Sequence, residues 1–101
     1  MKEISTSELA ERLKTGANLS IIDVREDDEV AQGKVPGAYH IRLSEIPERL
    51  DEIDKQTVHY LVCRSGGRSG RACEFLQANG YQVINVKGGM LAWDEAVEKT
   101  D

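Results

Sequence analysis

The sequence of 101 residues has no long apolar run. None approaches the ~20 residues that a membrane-spanning helix requires. The polar start, residues 1–5, also lacks the apolar core that directs secretion. We therefore expect a cytoplasmic protein with no membrane partner. A chain of this length has room for one hydrophobic core, so we expect a single domain over residues 1–101.

Cysteine and histidine are also scarce, and acidic residues outnumber basic ones. Two cysteines and two histidines do not have the spacing of zinc ligands, so we predict no metal. Two thiols without an export signal fit a reducing compartment, where no structural disulfide is expected. The formal net charge of −5 argues against nucleic acid or an anionic membrane as a partner.

Short strand-like segments alternate with helical ones along the chain. Strands are predicted at residues 20–24, 39–41, 58–62 and 82–86. Helices are predicted at residues 5–15, 26–32, 44–53 and 67–79, with a terminal helix that carries Leu91, Trp93 and Val97. Strands joined by helical crossovers predict an α/β fold, with a parallel sheet covered by helices on both faces.

One cysteine follows a predicted strand directly. Cys63 comes after the apolar residues 60–62 and precedes a run with two glycines and two arginines, which leads into a predicted helix. The run is Arg64, Ser65, Gly66, Gly67, Arg68 and Ser69. A strand, a glycine-bearing loop and a helix N-terminus form a cradle for anions. A thiol in such a cradle is favoured as the thiolate, so Cys63 is the candidate nucleophile.

The remaining reactive or charged groups have simpler interpretations. Cys73 lies within a predicted helix beside apolar residues, and we interpret it as an inert packed thiol. His40 follows a turn and His59 alternates within a strand, so we expect neither to act in catalysis. The acidic run at residues 26–29 is interpreted as a solvated helix start, which suits the helix dipole.

Four segments resemble the single-domain rhodaneses, which are thiosulfate sulfurtransferases. They are Asp23-Val24-Arg25, Gly33-Lys34-Val35-Pro36-Gly37-Ala38, the cysteine run at residues 63–69, and Gly88-Gly89-Met90-Leu91-Ala92-Trp93. Their order and spacing match that family across nearly the whole chain, with mild departures at Lys34 and Val35. The resemblance implies a rhodanese-like fold with a central parallel sheet of about five short strands.

The resemblance also implies a two-step sulfur transfer. Cys63 would take a sulfane sulfur from thiosulfate or another persulfide donor, hold it as a persulfide, and yield it to a thiol, cyanide or a protein acceptor. Backbone N–H groups of the loop would stabilise the anionic sulfur, and the side chains of Arg64 and Arg68 would hold an anionic donor. Independently of the resemblance, Asp23 ends a predicted strand and Arg25 follows it, so we interpret them as an internal ion pair or hydrogen-bond support for the loops at this edge. No cofactor is implied.

Two other functions stay open at this point. A phosphatase or arsenate reductase could use the same scaffold. The four residues between Cys63 and Arg68 are one fewer than cysteine-dependent phosphatases have, which favours a cradle for a persulfide. A sulfur carrier or partner-binding module would use the same cradle, so loop length does not exclude it. We expect a monomer.

Overall fold

A five-stranded parallel sheet forms the centre of the computed structural model, which describes residues 1–99. Its strands are β1 (Lys2–Ser5), β2 (Ser20–Asp23), β3 (Tyr39–His40), β4 (Val58–Val62) and β5 (Gln82–Lys87). The α-helices are α1 (Thr6–Lys14), α2 (Asp27–Ala31), α3 (Gly67–Ala78) and α4 (Gly89–Ala92). Thr100 and Asp101, the last residues of the predicted domain, lie outside the described residues.

The strand order β1-β5-β4-β2-β3 puts β4 at the centre of the sheet. All of its pairings are parallel, so the carboxyl ends of the strands meet at one edge. The loop after β4 is therefore flanked by the segment after β5 on one side and the segment after β2 on the other. The predicted α/β fold with a parallel sheet is confirmed.

Side chains of β4 alternate between two hydrophobic clusters, one on each face of the sheet. Tyr60 and Val62 belong to the cluster that contains Leu9 of α1. Leu61 and Cys63 belong to the cluster that contains Leu76 of α3. Because successive residues of a strand point to opposite faces, the strand that ends at Val62 carries the Cys63 side chain onto the α3 side.

The first strand was not predicted. β1 is short, only Ile4 of its residues is buried, and its sole partner is β5, where Ile4 lies opposite Val86. A strand with one buried residue has no apolar alternation to reveal it. The helix that follows was predicted at nearly its observed start, since the Ser5 hydroxyl accepts the Glu8 N–H at 3.1 Å as an N-cap.

The helix predicted at residues 44–53 was wrong in type. The segment forms two 3₁₀ helices, Leu43–Glu48 and Leu50–Glu52. Pro47 lies inside the first of them and has no N–H to donate to an α-helical hydrogen bond, which explains the break. Ile46 and Ile53 of this segment are nevertheless buried in the α3-side cluster.

The terminal helix is shorter than predicted. α4 ends at Ala92, and Trp93 already has an extended backbone with ψ of 115°. Val97 therefore lies beyond the helix, next to a residue pair, Lys34 and Glu98, that forms an isolated antiparallel bridge. Within residues 1–99, no helix has both the length and the apolar character needed to cross a membrane.

Candidate active site

Cys63 lies at the carboxyl end of the central strand, below an exposed loop. The hydrogen bonds of the sheet extend to the residue before Cys63, where the Val24 N–H donates to the Val62 carbonyl at 3.0 Å. Cys63 itself is 1% exposed, whereas Arg64 and Ser65 are exposed. The loop therefore presents polar groups to solvent while the sulfur sits at its base.

The sulfur accepts hydrogen bonds from the loop that leads into α3. The Gly66 N–H donates to Cys63 Sγ at 3.0 Å, and Ser69 Oγ lies 3.3 Å from the same atom. Gly66 has a φ of 106° and is the N-cap of α3. This left-handed conformation strongly favours glycine, and it turns the chain so that its N–H points at the sulfur.

Ser69 shares one hydroxyl proton between two acceptors. Its Oγ is 2.6 Å from Asn85 Oδ1 on β5, and the Asn85 amide in turn donates to the Gly66 carbonyl at 3.2 Å. A hydroxyl has a single proton, so it can serve the thiolate or Asn85 but not both at once. Asn85 thus sets the orientation of Ser69. It was not among the predicted site residues, because nothing in its local sequence points to the cysteine.

These donors lower the pKa of the Cys63 thiol. Burial is the largest single influence and raises the pKa, but the Ser69 hydroxyl and the N–H groups of Ser69, Gly66 and Ser65 together outweigh it. The net shift favours the thiolate. At Cys73, burial raises the pKa to about 12, and the nearby charge of Cys63 adds to the effect.

The start of α4 holds the other side of the loop. The Met90 N–H donates to the Cys63 carbonyl at 2.8 Å, and the Leu91 N–H donates to the Arg64 carbonyl at 2.9 Å. These bonds require a very close approach at Gly89, where a Cβ would lie 2.7 Å from the Arg64 carbonyl oxygen and nearer still to that of Cys63. Only glycine fits this position without displacing the loop.

The two loop arginines have different surroundings. Arg68 pairs with Glu29 of α2 through two hydrogen bonds of 2.7 and 2.8 Å. Arg64 is exposed and forms no ion pair with any residue in 1–99. The interpretation of residues 26–29 as simply solvated was therefore wrong for Glu29, whose side chain is 25% exposed. The contact escaped prediction because its partners are far apart in sequence.

Asp23 and Arg25 form a buried ion pair beside the loop. Arg25 Nη2 donates to Asp23 Oδ2 at 2.9 Å, and its Nε lies within 3.1 Å of both carboxylate oxygens. The same guanidinium donates to the carbonyls of Gly33 at 2.8 Å and Glu29 at 3.3 Å. The pair therefore ties the end of β2 to the middle of α2 and to Gly33, which follows that helix.

The two histidines contact other parts of the chain. His40 Nε2 is 2.6 Å from the Arg25 carbonyl oxygen. His59, near the start of β4, lies 2.6 Å from Ser20 Oγ and 2.7 Å from the Asp54 carbonyl oxygen. Among residues 1–99, no three His, Cys, Asp or Glu side chains converge as metal ligands do.

A parallel α/β sheet with a thiol at the start of a helix defines a class of cysteine-dependent domains, and comparison with known proteins identifies which one. The profile of the Rhodanese-like domain matches residues 5–96. The chain is 42% identical to a rhodanese-like domain protein from Staphylococcus aureus, whose crystal structure it matches with a TM-score of 0.95 over 100% of both chains. The chain belongs to the rhodanese-like domain family, and the resemblance drawn from its motifs is confirmed.

Two relatives that the chain matches over most of both lengths are named as sulfurtransferases. The chain is 47% identical to the "Putative sulfurtransferase YtwF" of Bacillus subtilis, over 93% of this chain and 91% of that protein. It is 38% identical to the "Sulfurtransferase" of Allochromatium vinosum, over 92% and 88%. These relatives support a rhodanese-type role in sulfur transfer.

Proposed function

We propose that this chain is a sulfurtransferase that moves a sulfane sulfur through a persulfide on Cys63. The hydrogen bonds to Cys63 Sγ carry the proposal, because donors at the N-terminus of α3 would stabilise a negative charge on the sulfur. The same donors that favour the thiolate would favour a persulfide anion of the same charge. The names of the sulfurtransferase relatives support the same activity.

In the first half-reaction, the Cys63 thiolate attacks the outer sulfur of the donor. With thiosulfate, a bond forms between Cys63 Sγ and that sulfur, and the sulfur–sulfur bond of the donor breaks. Sulfite leaves with the electron pair, and Cys63 becomes a persulfide. Because the lowered pKa already supplies the thiolate, no general base is needed.

In the second half-reaction, an acceptor nucleophile takes the sulfur. A thiolate or cyanide attacks the outer sulfur of the persulfide, and Cys63 leaves as the thiolate that began the cycle. The N–H groups of Gly66 and Ser69 would stabilise the charge that returns to Sγ. Since Cys63 is 1% exposed, the added outer sulfur is the atom that an acceptor reaches first.

The mass of the intact protein tests the persulfide directly. Incubation with thiosulfate should add one sulfur atom, and later addition of cyanide should remove it with formation of thiocyanate. The matched controls are Cys63→Ser, which should gain nothing, and Cys73→Ser, which should load like the natural chain. No added sulfur on a folded protein, with thiosulfate and with an organic thiosulfonate, would refute the proposal.

Turnover separates an enzyme from a sulfur carrier that uses the same cradle. With thiosulfate and cyanide both in excess, an enzyme forms many equivalents of thiocyanate per chain, with the parallel double-reciprocal lines of a ping-pong reaction. A carrier loads readily but unloads to small acceptors slowly. We expect the enzyme's behaviour.

A further inference from the structure

The Arg68 guanidinium is bound by a carboxylate of the same chain. Its two terminal nitrogens donate to the two carboxylate oxygens of Glu29 at 2.7 and 2.8 Å. This two-point geometry is the strongest that arginine makes with a carboxylate. The positive charge that Arg64 and Arg68 bring to the cysteine loop is therefore partly cancelled within the protein.

Glu29 is held firmly in this position. Its carboxylate also accepts the Glu26 N–H at 3.0 Å, as the third residue of a capping box at the start of α2. Its backbone carbonyl accepts from Arg25, which is anchored on buried Asp23. The Arg68 hydrogen bond is the main reason that the pKa of Glu29 falls to about 2, so the carboxylate is charged at any working pH.

Helix α2, which carries Glu29, has further negative charge. Glu26, Asp27 and Asp28 are exposed on α2 beside Glu29. Arg42 lies 3.9 Å from Asp27 and 4.0 Å from Glu26, so it too is drawn towards carboxylates. Of the two arginines in the cysteine loop, Arg64 is the one without an ion pair in residues 1–99. The electrostatic potential that a sulfur donor meets at the site is therefore much less positive than the two arginines of the loop suggest.

We propose that the Glu29–Arg68 pair makes this site select sulfur donors with at most one negative charge over divalent anions such as thiosulfate. The inference rests on the proposed sulfur transfer and names the donor class of that same site. Glu29 acts as a specificity residue by withholding Arg68 from the donor. Organic persulfides and thiosulfonates, which carry one negative charge at the sulfur, match this arrangement of charges.

The physical reason is the difference in charge between donors of the same reactivity type. Thiosulfate carries two negative charges and an alkyl thiosulfonate carries one, yet each transfers its outer sulfur and releases an oxyanion of sulfur. Every additional negative charge meets the repulsion of the α2 carboxylates and lacks the attraction of a free Arg68. The penalty thus falls mainly on the dianion.

Replacing Glu29 by glutamine tests the proposal, with thiosulfate and methanethiosulfonate as the two donors. Glutamine can still accept the Glu26 N–H, so α2 keeps its cap, but Arg68 loses its neutralising partner. At low ionic strength, kcat/KM for thiosulfate should rise by about 10-fold, and that for methanethiosulfonate by less than about 2-fold. Sulfur loading of the natural chain by either donor, seen by mass, first establishes that the proposed function holds.

Two controls separate Arg68 from general electrostatics. Asp28→Asn removes one exposed charge from the same helix without touching Arg68, and it should leave the ratio of the two efficiencies unchanged within about 2-fold. In the double variant Glu29→Gln with Arg68→Gln, the gain for thiosulfate should vanish, because the cation that produced it is gone.

Equal changes with both donors, or a gain that survives in the double variant, would overturn the proposal while leaving sulfur transfer intact. If Glu29→Gln does not fold, Glu29→Asp replaces it. The shorter carboxylate still caps α2 but withdraws from Arg68, so a smaller gain confined to thiosulfate is expected. An unchanged donor ratio in a folded Glu29→Asp protein would count against the proposal.

Discussion

Cys63 and Cys73 are both buried in the same hydrophobic cluster, yet their pKa values shift in opposite directions. Their residues are 1% and 0% exposed. Burial raises the pKa of both, and it takes that of Cys73 to about 12. At Cys63 the hydrogen bonds from Ser69, Gly66 and Ser65 overcome burial and lower it. Burial therefore does not decide the direction of the pKa shift, and the supply of hydrogen-bond donors does.

The pKa shifts of both cysteines can be related to their positions relative to helix α3. Cys63 faces the start of α3, where the first N–H groups have no carbonyl within the helix to bond. Cys73 belongs to the helix interior, where the N–H groups are already used by the helix itself. A thiol at the N-terminus of the helix therefore meets backbone N–H groups that are free to donate, whereas a thiol within the helix meets none.

The sharpest test of this comparison replaces each cysteine by serine. Cys63→Ser should lower sulfur transfer by more than about 1,000-fold, because the hydroxyl is not ionised and no base stands ready to activate it. Cys73→Ser should keep most of the activity. Thiocyanate formation from thiosulfate and cyanide measures both, with folding checked by circular dichroism. The reverse pattern would mean that the nucleophile has been misassigned.

Gly89→Ala should disturb the cradle around Cys63 without touching Cys73. The new Cβ would strike the carbonyls of Cys63 and Arg64, which should cost about 3 kcal/mol of unfolding free energy and about 100-fold in sulfur transfer. Urea unfolding and the thiocyanate assay measure the two effects. Gly67→Ala is the matched control for the unfolding free energy, since Gly67 has open space around its Cβ position. A Gly89→Ala protein with full activity would show that α4 does not hold the loop.

Ser69→Ala should move the pH profile of Cys63. Loss of the hydroxyl donor raises the pKa of the thiol, so less thiolate is present at neutral pH. Because the thiolate is the attacking form, a tenfold weaker acid loads sulfur about 10-fold more slowly at low pH, and the rate recovers as pH rises. Ser65→Ala is the control, since Ser65 acts on the sulfur through its backbone N–H. An unmoved midpoint in Ser69→Ala would assign the proton of Ser69 to Asn85 alone.

The smallest effect on sulfur transfer is expected from substitutions of Cys73. Cys73→Ser places a hydroxyl in the apolar cluster and should lower the unfolding free energy by about 1–3 kcal/mol. At 25 °C, kcat/KM should stay within about 2-fold of that of the natural chain. Cys73→Ala, which adds no polar group, gives the cost of the cavity alone. A tenfold loss of activity in both folded variants would show that Cys73 supports the thiolate.

The parts of the site that are continuous in sequence could be predicted. A strand, Cys63, two glycines and a helix follow one another within a single stretch, and each leaves a local signal in composition and periodicity. The contacts that arise between distant segments could not. Glu29 meets Arg68, and Asn85 meets Ser69, only because β2 and β5 flank β4 in the sheet.

The errors in the predicted fold arise either from contacts between distant segments, as in the site, or from a local feature of the sequence. β1 exists because β5 pairs with it, and its own residues carry too little apolar pattern to show it. The 3₁₀ segment is a local matter, since Pro47 could have been recognised as unable to donate within an α-helix. The ion pair of Asp23 and Arg25 was expected from their adjacency at a strand end, and it is present.

The order of the strands has a consequence for how the protein is made on the ribosome. β5 lies between β1 and β4, so β1 has no partner until residues 82–87 have emerged. Asn85 and the N–H groups of Met90 and Leu91, which surround the cysteine loop, emerge at the same stage or later. The contacts that β5 and α4 make with the cysteine loop are therefore completed only when the last strand docks.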